Sequence, residues 1–177
     1  MTVLPIRLIG DEVLRAKAEP VTDFDAELRT LIGDLTETLE SSGGAGLAAP
    51  QLGVSLRVFA ISPKITDGEI HHLVNPVLDF PDEEEQDGPE GCLSIPGVYL
   101  DTRRRQNVIA KGFSSHGDPV QIVGEGLVAR CVQHENDHLD GVLFVDRQRP
   151  EQRERLLATL REATWWDAMP DVRVSPH

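Results

Sequence analysis

The segment His134-Glu135-Asn136-Asp137-His138 forms an H-E-x-x-H pattern inside a predicted helix that covers residues 125–139 and is followed by Gly141 as a C-terminal cap. Residues four apart on an α-helix point in nearly the same direction, because the helix has about 3.6 residues per turn. Both imidazoles can therefore reach one metal ion. Glu135 lies beside them, where it can hydrogen-bond a water on that ion without being a ligand.

The rest of this helix and the residues after it bear on the kind of metal site. Leu127 and Cys131 continue the histidine stripe, which predicts an ion at the end of a buried, apolar face. A zinc peptidase would need a third protein ligand, and the H-E-x-x-H-x-x-G-x-x-H form is absent because residue 144 is Phe. The acidic residues on the predicted solvated side of the last helix remain as possible third metal ligands: Glu151, Glu154 and Glu162. A surface helix that carries two histidines by chance is the other interpretation.

Cys92, in the sequence Glu90-Gly91-Cys92-Leu93-Ser94, is the better candidate for a third ligand. One thiolate and two imidazoles form a three-ligand site that leaves a position open for water. A lone cysteine is more often a small buried hydrophobic residue. The flanking Gly91 favours the ligand role, because glycine lets another backbone approach closely.

A third segment, Gly44-Ala45-Gly46-Leu47-Ala48-Ala49-Pro50-Gln51, is rich in small residues. We interpret it as a helix end followed by a loop that admits a peptide backbone close to the main chain. The amide N–H of Gln51 could stabilise an oxyanion there. The segment has a superficial likeness to phosphate-binding glycine loops, but it contains neither G-x-G-x-x-G nor a following Lys-Ser or Lys-Thr.

The remaining pattern predicts one α+β domain over residues 1–177, with a flexible tail from about residue 167. Apolar residues at helical spacing predict a helix over 23–41 and another that starts at Pro150. Strands are predicted at 54–58, 73–78, 107–113 and 120–123, and the last two are expected to pair as a hairpin. The acidic run 82–87 is predicted to be a solvated loop.

Composition narrows the class of protein. The 177 residues are 40% hydrophobic and 27% charged, as in an ordinary globular protein. The first residues lack the basic and apolar regions of a secretory signal, and two cysteines do not make a disulfide framework, so we expect a cytoplasmic location. The net charge of −13 disfavours direct binding to nucleic acid or to an anionic membrane.

Taken together, the three segments resemble the peptide deformylase family. Its patterns G-x-G-L-A-A-x-Q, E-G-C-L-S and Q-H-E-x-D-H-L-x-G match residues 44–51, 90–94 and 133–141, and residues 10–15 look like its usual opening. The resemblance implies an α+β fold in which antiparallel β-sheets pack around a central metal-binding helix. It also implies a hydrolase that removes the N-formyl group from the N-terminal methionine of nascent polypeptides and releases formate.

The same resemblance implies a role for each matched residue. Cys92, His134 and His138 would bind one divalent ion, typically Fe²⁺, with Zn²⁺, Ni²⁺ or Co²⁺ able to replace it. Glu135 would be the general base and then the general acid, while the Gln51 side chain and the Leu93 N–H would hold the oxyanion. The residues expected to bind substrate, several of them around the methionine side chain, are Gly44, Ala45, Gly46, Glu90, Gly91, Leu127, Arg130, Cys131 and His134.

Some positions depart from the commoner family pattern. Ala45 and Arg130 stand where many relatives carry larger aliphatic residues, and Tyr99 stands where some carry Arg, so the methionine pocket is expected to differ in shape. Arg104 and Asp137 are expected to pair and to steady the metal-bearing helix, with an exposed ion pair as the alternative.

The resemblance implies N-formylmethionyl nascent peptides as partners. It also suggests a contact with the ribosome through the last helix, and residues 151–155 at the start of that helix carry both positive and negative charges. Trp165 and Trp166 are expected to pack on the body of the domain. Two other functions stay open: a zinc peptidase that uses the same helix, and a deformylase-like protein kept for binding. The presence of all three ligands and of Glu135 argues against the second.

Overall fold

The computed structural model describes residues 2–66 and 71–162. Three α-helices lie in these ranges: α1 (Ala26–Ser42), α2 (Gly126–Leu139) and α3 (Pro150–Arg161). The strands of the same ranges are β1 (Gly46–Ala48), β2 (Val58–Ile61), β3 (His71–Asp79), β4 (Glu85–Gln86), β5 (Pro89–Cys92), β6 (Ile95–Asp101), β7 (Arg104–Arg105), β8 (Asn107–Phe113) and β9 (Pro119–Glu125). Short 3₁₀ helices occupy Glu12–Leu14, Ala49–Leu52 and Phe144–Arg147.

All strand pairs between these elements are antiparallel. A five-stranded sheet has the order β1-β2-β3-β8-β9, and two small sheets are formed by β5 with β6 and by β4 with β7. Helix α2 contacts β1, β2, β8 and β9 of the large sheet and β7 of a small one. The predicted α+β class, with antiparallel sheets around a central helix, is confirmed.

Helix α1 forms where its apolar periodicity predicts it. The Asp25 carboxylate caps its start by accepting hydrogen bonds from the N–H groups of Glu27 and Leu28, and Gly43 ends it with φ 70°. Its buried side chains pack onto β2 and neighbouring residues, and they include Leu28, Leu31, Ile32, Leu35 and Leu39. The cap explains why the helix begins at residue 26 rather than at the predicted residue 23.

The strand predicted at 54–58 is wrong in position, because β2 covers Val58–Ile61. The alternation that suggested a strand arises from Val54 and Leu56, which are half-buried loop residues packed against the buried apolar side chains of α1 and β2. Strand β2 is buried at every position, so its sequence is a continuous apolar run without alternation. The predicted strands at 73–78, 107–113 and 120–123 are confirmed, and β8 pairs with β9 as the expected hairpin.

Two segments predicted as loops contain regular structure. Within residues 44–51, β1 pairs with β2, and the 3₁₀ helix Ala49–Leu52 follows it. In the acidic run, the two-residue strand β4 pairs with β7, although most side chains of the run are exposed, as expected. These elements are short and depend on partners distant in sequence, so local periodicity does not indicate them.

The end of the described chain follows the prediction where it can be compared. Helix α3 starts at Pro150, and Leu160 is buried against the rest of the protein. The predicted flexible tail, Trp165 and Trp166 lie outside the described residues. Among the described residues, no helix has the length and apolarity needed to cross a membrane.

Candidate metal centre and active site

Helix α2 is enclosed on almost every side, and many of its buried residues are polar. Gln133, Glu135 and Asp137 are buried together with both histidines, whereas Leu127 is 57% exposed. The expected buried, apolar face is therefore present only in part, because Cys131 is buried in the core whereas Leu127 is exposed. A helix packed between sheets buries its polar faces as well, and these faces need partners from other elements.

The two histidines of the H-E-x-x-H pattern and Cys92 come together at one point. The rings of His134 and His138 lie with centroids 4.9 Å apart, and the Cys92 Sγ lies 3.3 Å from the His138 Nε2. One donor atom from each of Cys92, His134 and His138 lies within 4.8 Å of the others. A thiolate with two imidazoles is a donor set that suits several divalent transition-metal ions, so the residues fit a bound cation.

The two imidazoles have opposite protonation tendencies in the metal-free protein. Burial by itself lowers the pKa of His134, but its contacts with Cys92 and with the Glu90 carboxylate raise that pKa well above the ordinary value. Burial and the neighbouring His134 lower the pKa of His138 well below it. A cation at this point would therefore compete with a proton held mainly by His134.

Strand β5 delivers Cys92 to the histidines. Leu93 and Ser94 form the turn between β5 and β6, and the register shifts between Gly91 and Cys92. The Tyr99 ring lies over Gly91, so that a Cβ atom at position 91 would come within 2.6 Å of it. Glycine thus leaves room for the Tyr99 ring, and the Val98 backbone oxygen, 3.3 Å from the same Cβ position, supplies the close backbone approach that we expected.

The orientation of the Gln51 side-chain amide is fixed by its neighbours. Its Oε1 accepts a hydrogen bond from the Ala48 N–H at 2.8 Å, and its Nε2 donates to the Ser94 Oγ at 3.1 Å. The same Nε2 lies 3.7 Å from the Cys92 Sγ. Gln51 is 1% exposed, so its N–H donors are held at the predicted metal site.

Glu135 combines deep burial with an unsatisfied oxygen. Its Oε2 is buried without a hydrogen-bond partner among the described residues. Burial raises the pKa of Glu135 to about 7, against an opposing effect of His134. The carboxyl group can therefore exchange a proton near neutral pH, as general acid–base chemistry requires.

Glu90 is the centre of a buried network of hydrogen bonds. Its Oε1 bonds the His134 Nδ1 at 2.7 Å and the Arg104 Nη2 at 2.6 Å. Its Oε2 accepts from the Arg104 Nε and from the Arg130 Nη1, both at 3.0 Å. Burial opposes ionisation, but the hydrogen bonds from His134 and Arg104 outweigh it and lower the pKa of Glu90 to about 2. No local pattern indicated this role, although Glu90 stands two residues before a predicted ligand.

The expected pair of Arg104 and Asp137 is present, and it is buried. The Arg104 Nη1 donates to the Asp137 Oδ2 at 2.6 Å, and the Arg147 Nε donates to the same oxygen at 2.8 Å. Hydrogen bonds and charges from Glu90 and Asp137 raise the pKa of Arg104 against the opposing effect of burial. The pair thus connects the C-terminal end of α2 to the Glu90 network, and the exposed alternative is wrong.

A cavity of about 510 Å³ opens over these residues. Nearly every residue predicted to act on or bind substrate lines it: Gly44, Ala45, Gly46, Gln51, Glu90, Gly91, Cys92, Leu93, Leu127, Arg130, Cys131, His134 and Glu135. Tyr99 lines it too and is 74% exposed. The alternative peptidase ligands Glu151, Glu154 and Glu162 are exposed on or next to α3, and the Cys92, His134 and His138 group includes none of them.

Known proteins of one family resemble this chain over most of its length. The family described as polypeptide deformylase matches residues 3–154. A protein of Acidothermus cellulolyticus named peptide deformylase is 58% identical over 177 residues, which cover 100% of this chain and 96% of the relative. A solved peptide deformylase from Legionella pneumophila has 40% identity and a TM-score of 0.86, covering 96% of this chain and 100% of that one. The enzyme from Thermus thermophilus has 40% identity and a TM-score of 0.82, over 90% and 94%.

Proposed function

Since this chain belongs to the polypeptide deformylase family and therefore removes the N-formyl group from nascent peptides by hydrolysis, we propose that Cys92, His134 and His138 hold its metal ion. Glu135, Gln51 and Leu93 then act on the formyl group. This assignment rests on one observation. The three ligand atoms lie within 4.8 Å of one another, and the buried Glu135 Oε2 near them lacks a partner among the described residues.

The proposed ion is Fe²⁺, with Zn²⁺, Ni²⁺ or Co²⁺ able to use the same ligands. When bound, a divalent ion supplies Lewis-acid chemistry, which acidifies water and polarises a carbonyl group. The hydrogen bond between the His134 Nδ1 and Glu90 leaves the other ring nitrogen, Nε2, to face the ion. Glu90 would thereby fix both the tautomer and the orientation of one ligand.

Glu135 is proposed to move the proton. With a pKa of about 7, its carboxylate can take a proton from the attacking water and then hand that proton to the departing amine. An amine leaves poorly as an anion, so this second transfer is needed for the bond to break. Glu135 lines the cavity together with His134 and Gln51, so its carboxyl group faces the space where the substrate is proposed to bind.

Gln51 and Leu93 are proposed to stabilise the negative charge that develops on the formyl oxygen. Gln51 is preorganised for this role, because the Ala48 N–H holds its oxygen and turns its Nε2 toward Cys92. Leu93 follows the ligand directly and lines the cavity, so its N–H is the second proposed donor. The formyl carbon carries only hydrogen, and a tight site around it would exclude bulkier acyl groups.

The peptide is proposed to bind in an extended conformation between two sheet edges. Strand β1 ends the order of the five-stranded sheet, and β5 pairs with β6 alone among the described strands. Residues of both strands line the cavity, so backbone hydrogen bonds from either side could hold the substrate. Ala45, Leu127 and Cys131 are the proposed apolar wall around the methionine side chain.

Formate release tests the proposal. Protein loaded with Fe²⁺ or Ni²⁺ without oxygen is incubated with formyl-Met-Ala and, separately, with a blocked peptide that offers only internal bonds. We expect formate from the first and no cleavage of the second. Internal cleavage without formate would instead support the zinc peptidase, and a metal bound equally well after Cys92→Ala would contradict the ligand set.

A cytoplasmic location and a ribosome contact are also proposed, because the substrate is made at the ribosome. Helix α3 exposes Arg155 and Arg161 but also Glu151 and Glu154, so its charge is mixed. Co-sedimentation with ribosomes at rising salt is the test. A contact made by α3 should weaken with salt and on charge reversal of both arginines, and no co-sedimentation at low salt would end the idea.

A further inference from the structure

We propose that Arg130 is a positioning residue for the metal centre, which it sets by clamping Glu90 of β5 against α2. The inference rests on the proposed metal-binding function. The family resemblance implied that Arg130 binds substrate, and its side chain does line the cavity. Its hydrogen bonds point elsewhere, because its Nη1 donates to the Glu90 Oε2 at 3.0 Å and to the Thr102 carbonyl oxygen at 2.7 Å.

The clamp uses two residues of one helix face. Arg130 and His134 are four residues apart on α2, so their side chains project from the same side. They bond different oxygens of one carboxylate: His134 bonds the Oε1 at 2.7 Å, and Arg130 the Oε2 at 3.0 Å. All three side chains are less than a tenth exposed. A carboxylate held at both oxygens by one helix cannot rotate or slide along it.

The clamp also places the third ligand. Glu90 and Cys92 belong to the same strand, and Cys92 contacts His138, one helical turn beyond His134. Three contacts at successive turns of α2 therefore fix β5 on the helix: Arg130 with Glu90, His134 with Glu90, and His138 with Cys92. Cys92 is the ligand that does not come from α2, so its distance from the histidines depends on how β5 is held there.

Arg104 does not make the clamp redundant. Its guanidinium approaches Glu90 from β7 and is shared with Asp137. Arg104 therefore links Glu90 to Asp137, near the C-terminal end of α2, only through a residue of β7, whereas Arg130 links Glu90 directly to the helix one turn before His134. Without Arg130, the Thr102 carbonyl would lose its donor, and the Glu90 Oε2 would keep only the Arg104 Nε among its described partners.

The test compares Arg130→Met and Arg130→Lys with a matched control, Arg103→Met. Arg103 is mostly exposed and contacts only Glu85, at 3.5 Å, among its described ion pairs. Each full-length protein is loaded with Co²⁺. The dissociation constant is then measured by chelator competition, and the visible spectrum reports the geometry of the thiolate–imidazole site. Unfolding of the metal-free proteins is measured in parallel.

We expect Arg130→Met to weaken Co²⁺ binding by more than twofold and by up to about tenfold, and to shift the spectrum. The effect is smaller than the loss of about tenfold to 100-fold that is usual when a ligand's own partner is lost, because Arg130 acts on His134 through Glu90. Arg130→Lys should fall between it and the native protein, and Arg103→Met should change neither quantity. Co²⁺ binding within about twofold of native, with an unchanged spectrum, would overturn the proposal. A rise in KM for the formyl peptide together with native Co²⁺ binding would also overturn it, because Arg130 would then act only as part of the substrate pocket.

If Arg130→Met does not fold, the same criteria apply to Arg130→Lys. Loss of stability with native affinity and spectrum would also overturn the proposal, because it marks a structural role alone. Failure of the function itself is distinguishable from these results, since the native protein would then bind no Co²⁺ or release no formate.

Discussion

Replacing Glu135 by Gln should make the protein inactive and, above neutral pH, more stable. The carboxyl group is 3% exposed, and burial holds its pKa at about 7, against an ordinary value of 4.5. The unfolded chain therefore loses this proton near pH 4.5, whereas the folded chain keeps it until about pH 7. The folded state carries no penalty from this group below pH 4.5, a growing penalty between these values, and the full penalty above pH 7.

The size of the penalty follows from the two pKa values. A difference of about 2.5 pH units at about 1.4 kcal/mol each gives about 3 to 4 kcal/mol. Glutamine has nearly the same shape and cannot ionise, so the metal-free variant should be more stable than the native protein by about this amount at pH 8, and by little at pH 4.5. The loss of a positioned general base should lower kcat by about 10² to 10⁴.

Urea unfolding of the metal-free proteins at pH 4.5 and pH 8 measures the first effect, and formate release by the metal-loaded proteins measures the second. Metal content should stay the same, since Glu135 is not a proposed ligand. A stability difference that does not change with pH would refute the burial argument. Activity within about tenfold of native would refute the role as a base.

Three further changes test other parts of the site. Gln51→Glu keeps the acceptor for the Ala48 N–H but removes the Nε2 donors, so kcat for formate release should fall about 10²-fold to 10³-fold at unchanged metal content, and unchanged kcat would exclude Gln51 from the oxyanion site. Gly46→Ala would place a Cβ atom in steric overlap with the Glu135 Oε1, so activity should drop while Gly88→Ala, whose Cβ meets nothing closer than 3.6 Å, serves as the control. Glu90→Gln should make the free energy of unfolding less dependent on pH in acid. The native carboxylate, with a pKa of about 2, contributes about 3 kcal/mol of stability, which is fully present above pH 4.5 and is lost as the pH falls toward 2. Urea unfolding of the metal-free proteins at pH 3 and pH 6 should show the larger loss in the native protein.

The elements that the sequence predicted well are those whose residue pattern repeats over many consecutive positions or that pair with a neighbour in sequence. Helices α1 and α2 show apolar or ligand residues at helical spacing over many residues, and the β8–β9 hairpin joins two strands across a short turn. Strands β1, β4 and β7 have two or three residues each, and they exist because distant segments pair with them. Their formation is a tertiary effect, so no local pattern can report it.

The candidate site also has features that the local sequence predicted and features that depend on tertiary contacts. The identities of the proposed ligands and of Glu135 follow from the sequence, because H-E-x-x-H spacing on a helix places both imidazoles on one face. The Cys92 contact, the Gln51 orientation and the Glu90 network required coordinates. Arg130 shows the difference most clearly: its place in the chain indicated the substrate pocket, whereas its hydrogen bonds go to Glu90 and Thr102.

The H-E-x-x-H helix by itself determined that two imidazoles share one face with a carboxylate beside them, since helix geometry is local and fixed by about 3.6 residues per turn. The tertiary structure alone decided that these polar residues are buried, that Glu90 and Cys92 of β5 meet them, and that Glu135 Oε2 lacks a partner among the described residues. The physical reason is that burial, desolvation and hydrogen bonding depend on which distant segments enclose the helix. These are the conditions that raise the pKa of Glu135 to about 7 and lower that of Glu90 to about 2.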